Sequence, residues 1–399
     1  MRAAAAIGAL CMLLSPWLLW IEAPISGGAR PGISLGWMAI LLAGIAAVAH
    51  FRRSSVLAAV SGVMGLGLCS FAILHLTLLD PALWSLVDEN AQYTRIMGFS
   101  RRYLPENLGT EPIFQADLAT ETVLERLAAA AYFMGFGWWM CLMGSVLLMI
   151  GCFALKGRRT LQGIAIAALA VCGGQGMLLG NGLVAQYLRD TGDRYLARGL
   201  YTEAIRRYEA AQRHDAQLAK SERTHLSLGE AYYHLGISAH PAARLYLGNR
   251  YAQQRNVEAA LAQYLLATHD TIGSLGDIIR RRIAWTYVDL GLADYRKGEI
   301  GGASHWWEKS LTFDAAQLQA AYFLVRAYFD QGRYEQSITM GRFLVARSQN
   351  QLVNADVQAN IGDGYWKLHD FTKARLAYEA SMRLDSFANF RIFRSLGGT

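Results

Sequence analysis

"GDRYLARGLYTEAIRRYEAAQRHDA", residues 192 to 216, sets small residues (Gly192, Gly199, Ala204, Ala211) among aromatic ones (Tyr195, Tyr208) at spacings that suit two short helices joined by a tight turn. Gly192 and Ala204 let two helices approach, and Tyr195 and Tyr208 fill the gaps between them. Gly199 ends the first helix in the left-handed conformation that glycine adopts most readily. A hairpin this small buries its apolar face only against a neighbour, so the stretch predicts further copies along the chain.

The copies are present. "LGNRYAQQRNVEAALAQYLLATHD" keeps Leu247, Gly248, Tyr251, Ala260, Tyr264 and Ala267 at the same offsets, and "LGLADYRKGEIGGASHWWEKSLTFD" keeps Gly291, Gly298, Ala303 and Trp307. A weaker copy, "LVRAYFDQGRYEQSITMGRFL", keeps Leu324, Tyr328 and Gly332 but has Val325 for the helix glycine and Gly341 for the aromatic. "IGDGYWKLHDFTKARLAYEASMRLD" restores Gly362, Tyr365, Ala374 and Tyr378. Spacing between copies is uneven: residues 222 to 236, "ERTHLSLGEAYYHLG", carry a first-helix signature without a clean second helix, which Pro241 interrupts.

These offsets resemble the tetratricopeptide repeat over residues 186 to 386, about half of the chain. The proline that the family places after each second helix is missing, with Ala216, Ala315 and Ser386 in its place. The resemblance implies an α-solenoid whose first helices line a groove for a peptide or a partner helix. Carried onto this chain, that inner face is Arg189, Asp193, Asn249, Gln253, Tyr295, Arg296, Tyr322, Arg326, Phe329, Asp363, Trp366 and Lys367. The Lys and Asn pattern by which some family members clamp a C-terminal carboxylate is absent, since Arg189 is followed by Asp193 where the clamp would want an amide. "NFRIFRSLGGT" at the end of the chain is amphipathic enough for a closing helix.

Upstream of the repeats the composition changes. The chain is 53% apolar, high for a protein without a membrane portion. A helix needs about 20 predominantly apolar residues to cross a bilayer. Five stretches qualify, approximately Ala3 to Ile21, Leu35 to Phe51, Val56 to Leu79, Leu127 to Leu155 and Leu161 to Tyr187. The first also has the charged start and apolar core of a signal peptide, with a small-residue site ending at Ala29; we read it as an uncleaved helix because Trp17 and Trp20 suit an interfacial belt. The expected architecture is therefore all-α. A polytopic bundle of about five spans fills residues 1 to 187, with an outer loop at 80 to 126, and the repeat domain fills residues 188 to 399.

Two short loops are strongly basic, "FRRSS" (Phe51 to Ser55) and "KGRRT" (Lys156 to Thr160), and both belong on the cytoplasmic side by the positive-inside rule. The span that enters at Leu161 then delivers the repeats to the outside. In a bacterium this is a multi-pass inner-membrane protein with its C-terminal domain in the periplasm.

Gly176 and Gly180 form a GxxxG pair flanked by Gln175 and Asn181, suited to packing within the bundle or to docking another membrane subunit. His75 lies near the outer end of its span without a second histidine to pair with, which reads as an interfacial residue rather than a haem ligand or proton relay. Residues 83 to 109 mix aromatics with Arg95, Arg101 and Arg102 and read as an amphipathic helix lying on the membrane or against the repeats. Asp88, Glu89 and Glu106 read there as solvated charges.

The five cysteines, all within apolar stretches, form no CxxC or CxxCH pattern, so no metal or other cofactor is expected. Much of the net charge of +7 is to be sought first in loops flanking apolar segments, and the Arg280 to Arg282 cluster reads as a solvated or lipid-phosphate-facing helix end, so nucleic acid is not an expected partner. The partners expected are proteins in the groove and the lipid bilayer. No acid, base and nucleophile converge, which points to a non-catalytic scaffold or docking subunit of an assembly, envelope or electron-transfer complex. The alternative is a membrane enzyme or transporter, for envelope polysaccharide or cytochrome maturation, with regulatory repeats.

Overall fold

The computed structural model describes residues 2–25, 27, 29–30, 33–52, 54–78, 80–101, 123–153, 158–215, 218–268, 271 and 273–385. Arg53 of "FRRSS", Lys156 and Gly157 of "KGRRT", residues 102 to 122 of the outer loop (with Arg102 and Glu106) and the closing segment "NFRIFRSLGGT" lie outside the described residues. Among the described residues the fold is helical, with isolated bridges from Ile21 to Ala29 and Met134 in place of any strand. The chain divides into two units, and the division at Tyr187/Leu188 assigns Pro24–Gly27 and the described residues 88 to 101 to the second unit, with the repeats.

The first unit draws on α1 (Arg2–Leu14), α2 (Ile33–Arg52), α3 (Ser55–Leu78), α4 (Asp80–Arg101), α5 (Val123–Tyr132), α6 (Phe136–Phe153) and α7 (Arg158–Ala197); the division runs through α4 and α7. Two helices are long and apolar enough to cross a membrane, Leu35–Arg52 and Ser55–Thr77. A third candidate is the pair Leu161–Met177 and Leu179–Ala197, bent by 59°. Ala6–Trp17 and Phe136–Ile150 are apolar but shorter, so the described helices supply two to three full-length spans where the sequence predicts about five.

Glycines set the closest helix approaches in this unit. A Cβ on Gly8 would lie 2.7 Å from the Gly144 carbonyl, and one on Gly144 the same distance from the Gly8 carbonyl, so α1 and α6 touch through bare backbone. Among the described residues Gly176 and Gly180 do no such work: a Cβ at either would meet nothing within 4 Å. They lie on a face of α7 that no described helix covers, whereas Gln175, on another face, donates to the Gly67 carbonyl (2.9 Å) and Ser70 Oγ (2.7 Å) of α3. His75 is exposed and rests its ring 5.5 Å from that of Phe71.

The second unit is an array of antiparallel hairpins. After α7 come α8 (Tyr201–His214), α9 (Glu222–His234), α10 (Pro241–Gln253), α11 (Val257–Thr268), α12 (Ser274–Lys297), α13 (Ile300–Phe313), α14 (Leu318–Asp330), α15 (Tyr334–Val345), α16 (Gln351–Lys367) and α17 (Phe371–Leu384). In each strong copy the first-helix glycine lies under the aromatic ring of the second helix. A Cβ on Gly192 would stand 2.7 Å from Tyr208 and one on Gly362 2.5 Å from Tyr378, and Gly248 and Gly291 meet Tyr264 and Trp307 in the same way. The partner of each glycine is thus the ring, with the alanine one turn earlier buried beside it. In the weak copy the sizes are exchanged: Val325 is buried, and a Cβ on Gly341 would lie 2.8 Å from Ile361 of the next hairpin.

Pro241 does not break a helix but starts α10, where its missing N–H costs nothing. Gly229 brings α9 against the Ala242 carbonyl, so α10 is the second helix for α9 and the first helix for α11. This shared helix accounts for the wide interval between the first and second copies, and the 24-residue α12 lengthens the next.

Turns between paired helices use a left-handed residue. Gly199, Gly298 and Gly332 fill this position at φ of 74°, 85° and 74°, but Arg255 holds it at 61° without a glycine's freedom. A left-handed non-glycine residue costs roughly 1 kcal/mol. Arg255 is exposed, so Arg255→Gly is expected to stabilise the repeat unit by about that amount, a rise of about 2–4 °C in Tm for a domain of this size. An unchanged or lower melting temperature would show that the turn is not strained.

Candidate partner-binding groove

The inner face is built by first helices, and the structure places its predicted residues in three groups. Gln253, Arg296 and Lys367 are exposed, and Asn249 is half-buried. Tyr295 and Tyr322 are struts between hairpins: the Tyr295 hydroxyl donates to Asp330 (2.8 Å) and the Tyr322 hydroxyl to Asp356 (2.5 Å). Arg326 pairs with Asp330 at 3.0 Å and lies over the Phe329 ring, which packs on Tyr334.

The third group packs inward. Asp193 accepts from Tyr208 (2.7 Å) and Asp363 from Tyr378 (2.8 Å), each tying the second helix of a hairpin to its first. Trp366 meets Phe371 edge-on at 4.8 Å, and Arg189 is buried beside Asp190 at 3.7 Å. The spacing puts Asp193 and Asp363 one residue after the helix glycine, directly in reach of the ring hydroxyl that crosses it. Burial, reinforced by the neighbouring carboxylate, holds the Tyr208 hydroxyl far above the ordinary phenol range, so it remains a donor. Burial likewise pushes Tyr264 up to about 12.

Sequence reasoning missed that this face is lined by residues from outside the repeats. Trp285, Val288 and Leu292 recur at helical spacing on α12 beside Tyr295, and Val288 and Tyr322 share one apolar cluster with Tyr93, Ile96 and Met97 of α4 and with Ile25. Arg95 of α4 forms a 2.8 Å ion pair with Asp289, its guanidinium 4.6 Å from the centre of the Trp285 ring. Of the two placements open to this amphipathic segment, residues 88 to 101 take the one against the repeats.

Nor are its carboxylates solvated charges. Glu89 accepts the Ile25 N–H, and burial holds the Asp88 carboxyl above its usual range against the opposing pull of Gln92, Arg281 and Arg282. In the arginine cluster Arg280 pairs with Asp277 and Arg282 with Glu222 across to α9, while Arg281 is exposed and Arg282 half-buried.

Stacked hairpins closed by a glycine under an aromatic ring define a helical-repeat unit of the tetratricopeptide type. No family model matches the chain, and no curated protein matches it. Among solved structures, PilF of Pseudomonas aeruginosa is 18% identical with a TM-score of 0.31, over 52% of this chain and 94% of that one. MamA is 16% identical with a TM-score of 0.26 (52% and 95%), and the TPR2AB domain of yeast Sti1, in its pHSP90 complex, 15% with 0.16 (51% and 79%). At these identities and TM-scores the likenesses carry no argument; the assignment rests on the hairpins themselves.

Proposed function

We propose that the chain is a non-catalytic docking subunit, anchored by its apolar helices in the inner membrane of a bacterium, whose repeat unit faces the periplasm and binds partner proteins on its inner face. The observation that carries this reading is that the inner face already receives a helix, residues 88 to 101, through one arginine and three buried apolar side chains. A surface that seats one amphipathic helix has the chemistry to seat another. The two full-length apolar helices and the bent pair support the anchor, and the shorter helices α1 and α6 complete about five spans. "FRRSS" and "KGRRT" on the cytoplasmic side support the orientation.

The test uses the full chain. A reporter after Thr399 is expected to be active as alkaline phosphatase and dark as green fluorescent protein; the reverse pattern would place the repeats in the cytoplasm. Proteins held by the wild-type chain in mild detergent are expected to be lost with Arg296→Glu and Lys367→Glu together, since both heads are exposed on the inner face. If association survives that change but is lost when Gly176 and Gly180 become leucine, the docking surface is the open face of α7. An activity that survives both changes would move the protein to the enzyme or transporter class.

A further inference from the structure

The inner face of the repeat unit is closed by the chain's own residues. Tyr93 and Ile96 are each 1% exposed and Ile25 is 0% exposed, all in the cluster that holds Val288 and Tyr322. Ile25 is fixed on both sides: its N–H donates to Glu89, and its carbonyl accepts the Gln349 N–H at 2.8 Å. The neighbouring Pro24 carbonyl accepts from Asn350 at the start of α16. A foreign helix entering this groove would need the surface that Tyr93, Arg95 and Ile96 already occupy.

We propose that residues 88 to 101 are a resident ligand of the groove, displaced when a partner docks, and that the partner presents an amphipathic helix with an aromatic, an arginine and an aliphatic residue spaced as Tyr93, Arg95 and Ile96. The proposal rests on the docking-subunit reading and names its partner chemistry. Two features make the closed state replaceable rather than permanent. The Arg95–Asp289 pair lies at the rim, with 41% and 46% of the side chains exposed, where an ion pair is weak and salt-sensitive. Gln319 shares the inner helical face with Tyr322 and Arg326, is 0% exposed, and among the described residues neither atom of its amide has a hydrogen bond. A buried amide without a partner counts against the closed state, and an incoming helix that bonds to it gains what the resident segment does not supply.

The probe is a fluorescent peptide with the sequence of residues 88 to 101, added to the full chain in detergent. Ile96→Asp places a charge where the closed groove is apolar, so it unseats the segment and leaves the repeats unaltered. The variant is expected to bind the peptide at least tenfold more tightly than the wild-type chain, and adding Asp289→Lys is expected to remove that gain. Equal binding by wild type and variant would overturn the proposal. Hydrogen exchange on the unaltered chain decides the matter independently of the variant's folding. Amides of residues 91 to 97 are expected to exchange at least tenfold faster than those at the centre of α13, and exchange of both only through global unfolding would make the segment a permanent brace. Neither readout needs a natural partner. A chain that captures its partner but fails the peptide test loses only the resident ligand, and one that passes the peptide test but captures nothing loses only the docking role.

Discussion

Gly291→Leu is expected to melt the repeat unit at a temperature far below that of the wild-type chain. A Cβ at this position already reaches inside contact distance of the Trp307 indole, and Trp307 has nowhere to retreat. It is fully buried, its Nε1 donates to the Val288 carbonyl at 3.2 Å, and its ring is held between Tyr295 at 5.7 Å and Phe323 at 5.1 Å. Overpacking of this kind costs about 1–3 kcal/mol, and displacing the indole from its carbonyl adds roughly 1 kcal/mol. The sum is about 2–4 kcal/mol, and it falls on the cluster that joins α12 and α13 to α14 and α16. Thermal unfolding followed by circular dichroism checks it. The milder pair Gly291→Ala and Trp307→Phe isolates the cause: each alone is expected to destabilise, and the double variant to recover about 0.5–3 kcal/mol relative to their sum. Strict additivity would mean that glycine and ring do not share the space assigned to them.

That pairing was legible in the sequence because it is local. Gly192 with Tyr208, Gly248 with Tyr264, Gly291 with Trp307 and Gly362 with Tyr378 stand at one constant separation, which a helix, a tight turn and a second helix convert directly into contact. The weak copy kept the separation but moved its small residue to the second helix, where Gly341 makes room for Ile361, a contact between hairpins that no single-repeat template contains. The double use of α10 was hidden for the same reason: Gly229 announces a first helix, but its partner begins at a proline. The inner face was legible only as a set of positions. Which of them point a polar head to solvent, and which act as struts, depends on neighbours one repeat away: Tyr295 needs Asp330, and Tyr322 needs Asp356. The residents of the groove, Ile25 and Tyr93 to Met97, come from stretches hundreds of residues upstream that carry no repeat signature, so periodicity could not assign them to the unit.

Asp356→Ala is expected to be the most damaging polar substitution on the inner face, because one carboxylate oxygen serves two buried donors. Asp356 Oδ2 accepts from the Tyr322 hydroxyl at 2.5 Å and from Asn360 Nδ2 at 3.1 Å, and Tyr322 and Asn360 are both buried. Removing the carboxylate takes this acceptor from the buried Tyr322 hydroxyl, at about 1–3 kcal/mol where no water replaces it, and leaves Asn360 Nδ2 its 3.0 Å bond to the Asp356 carbonyl. Tyr322→Phe removes one donor and leaves the carboxylate its bond to Asn360, at about 1 kcal/mol. Asp356→Asn keeps an acceptor oxygen and is expected to lie near the phenylalanine variant, well above the alanine one. The order of the three melting temperatures is the measurement. A Tyr322→Phe as damaging as Asp356→Ala would mean that the phenol's bond, rather than the shared acceptor, holds α14 to α16. The order also bears on docking, because the Tyr322–Asp356 bond sets the spacing of two adjacent inner-face helices. Partner binding that falls with both Asp356→Ala and Tyr322→Phe would trace to altered groove geometry, whereas loss with Arg296→Glu and Lys367→Glu, whose heads touch solvent, traces to contact with the partner itself.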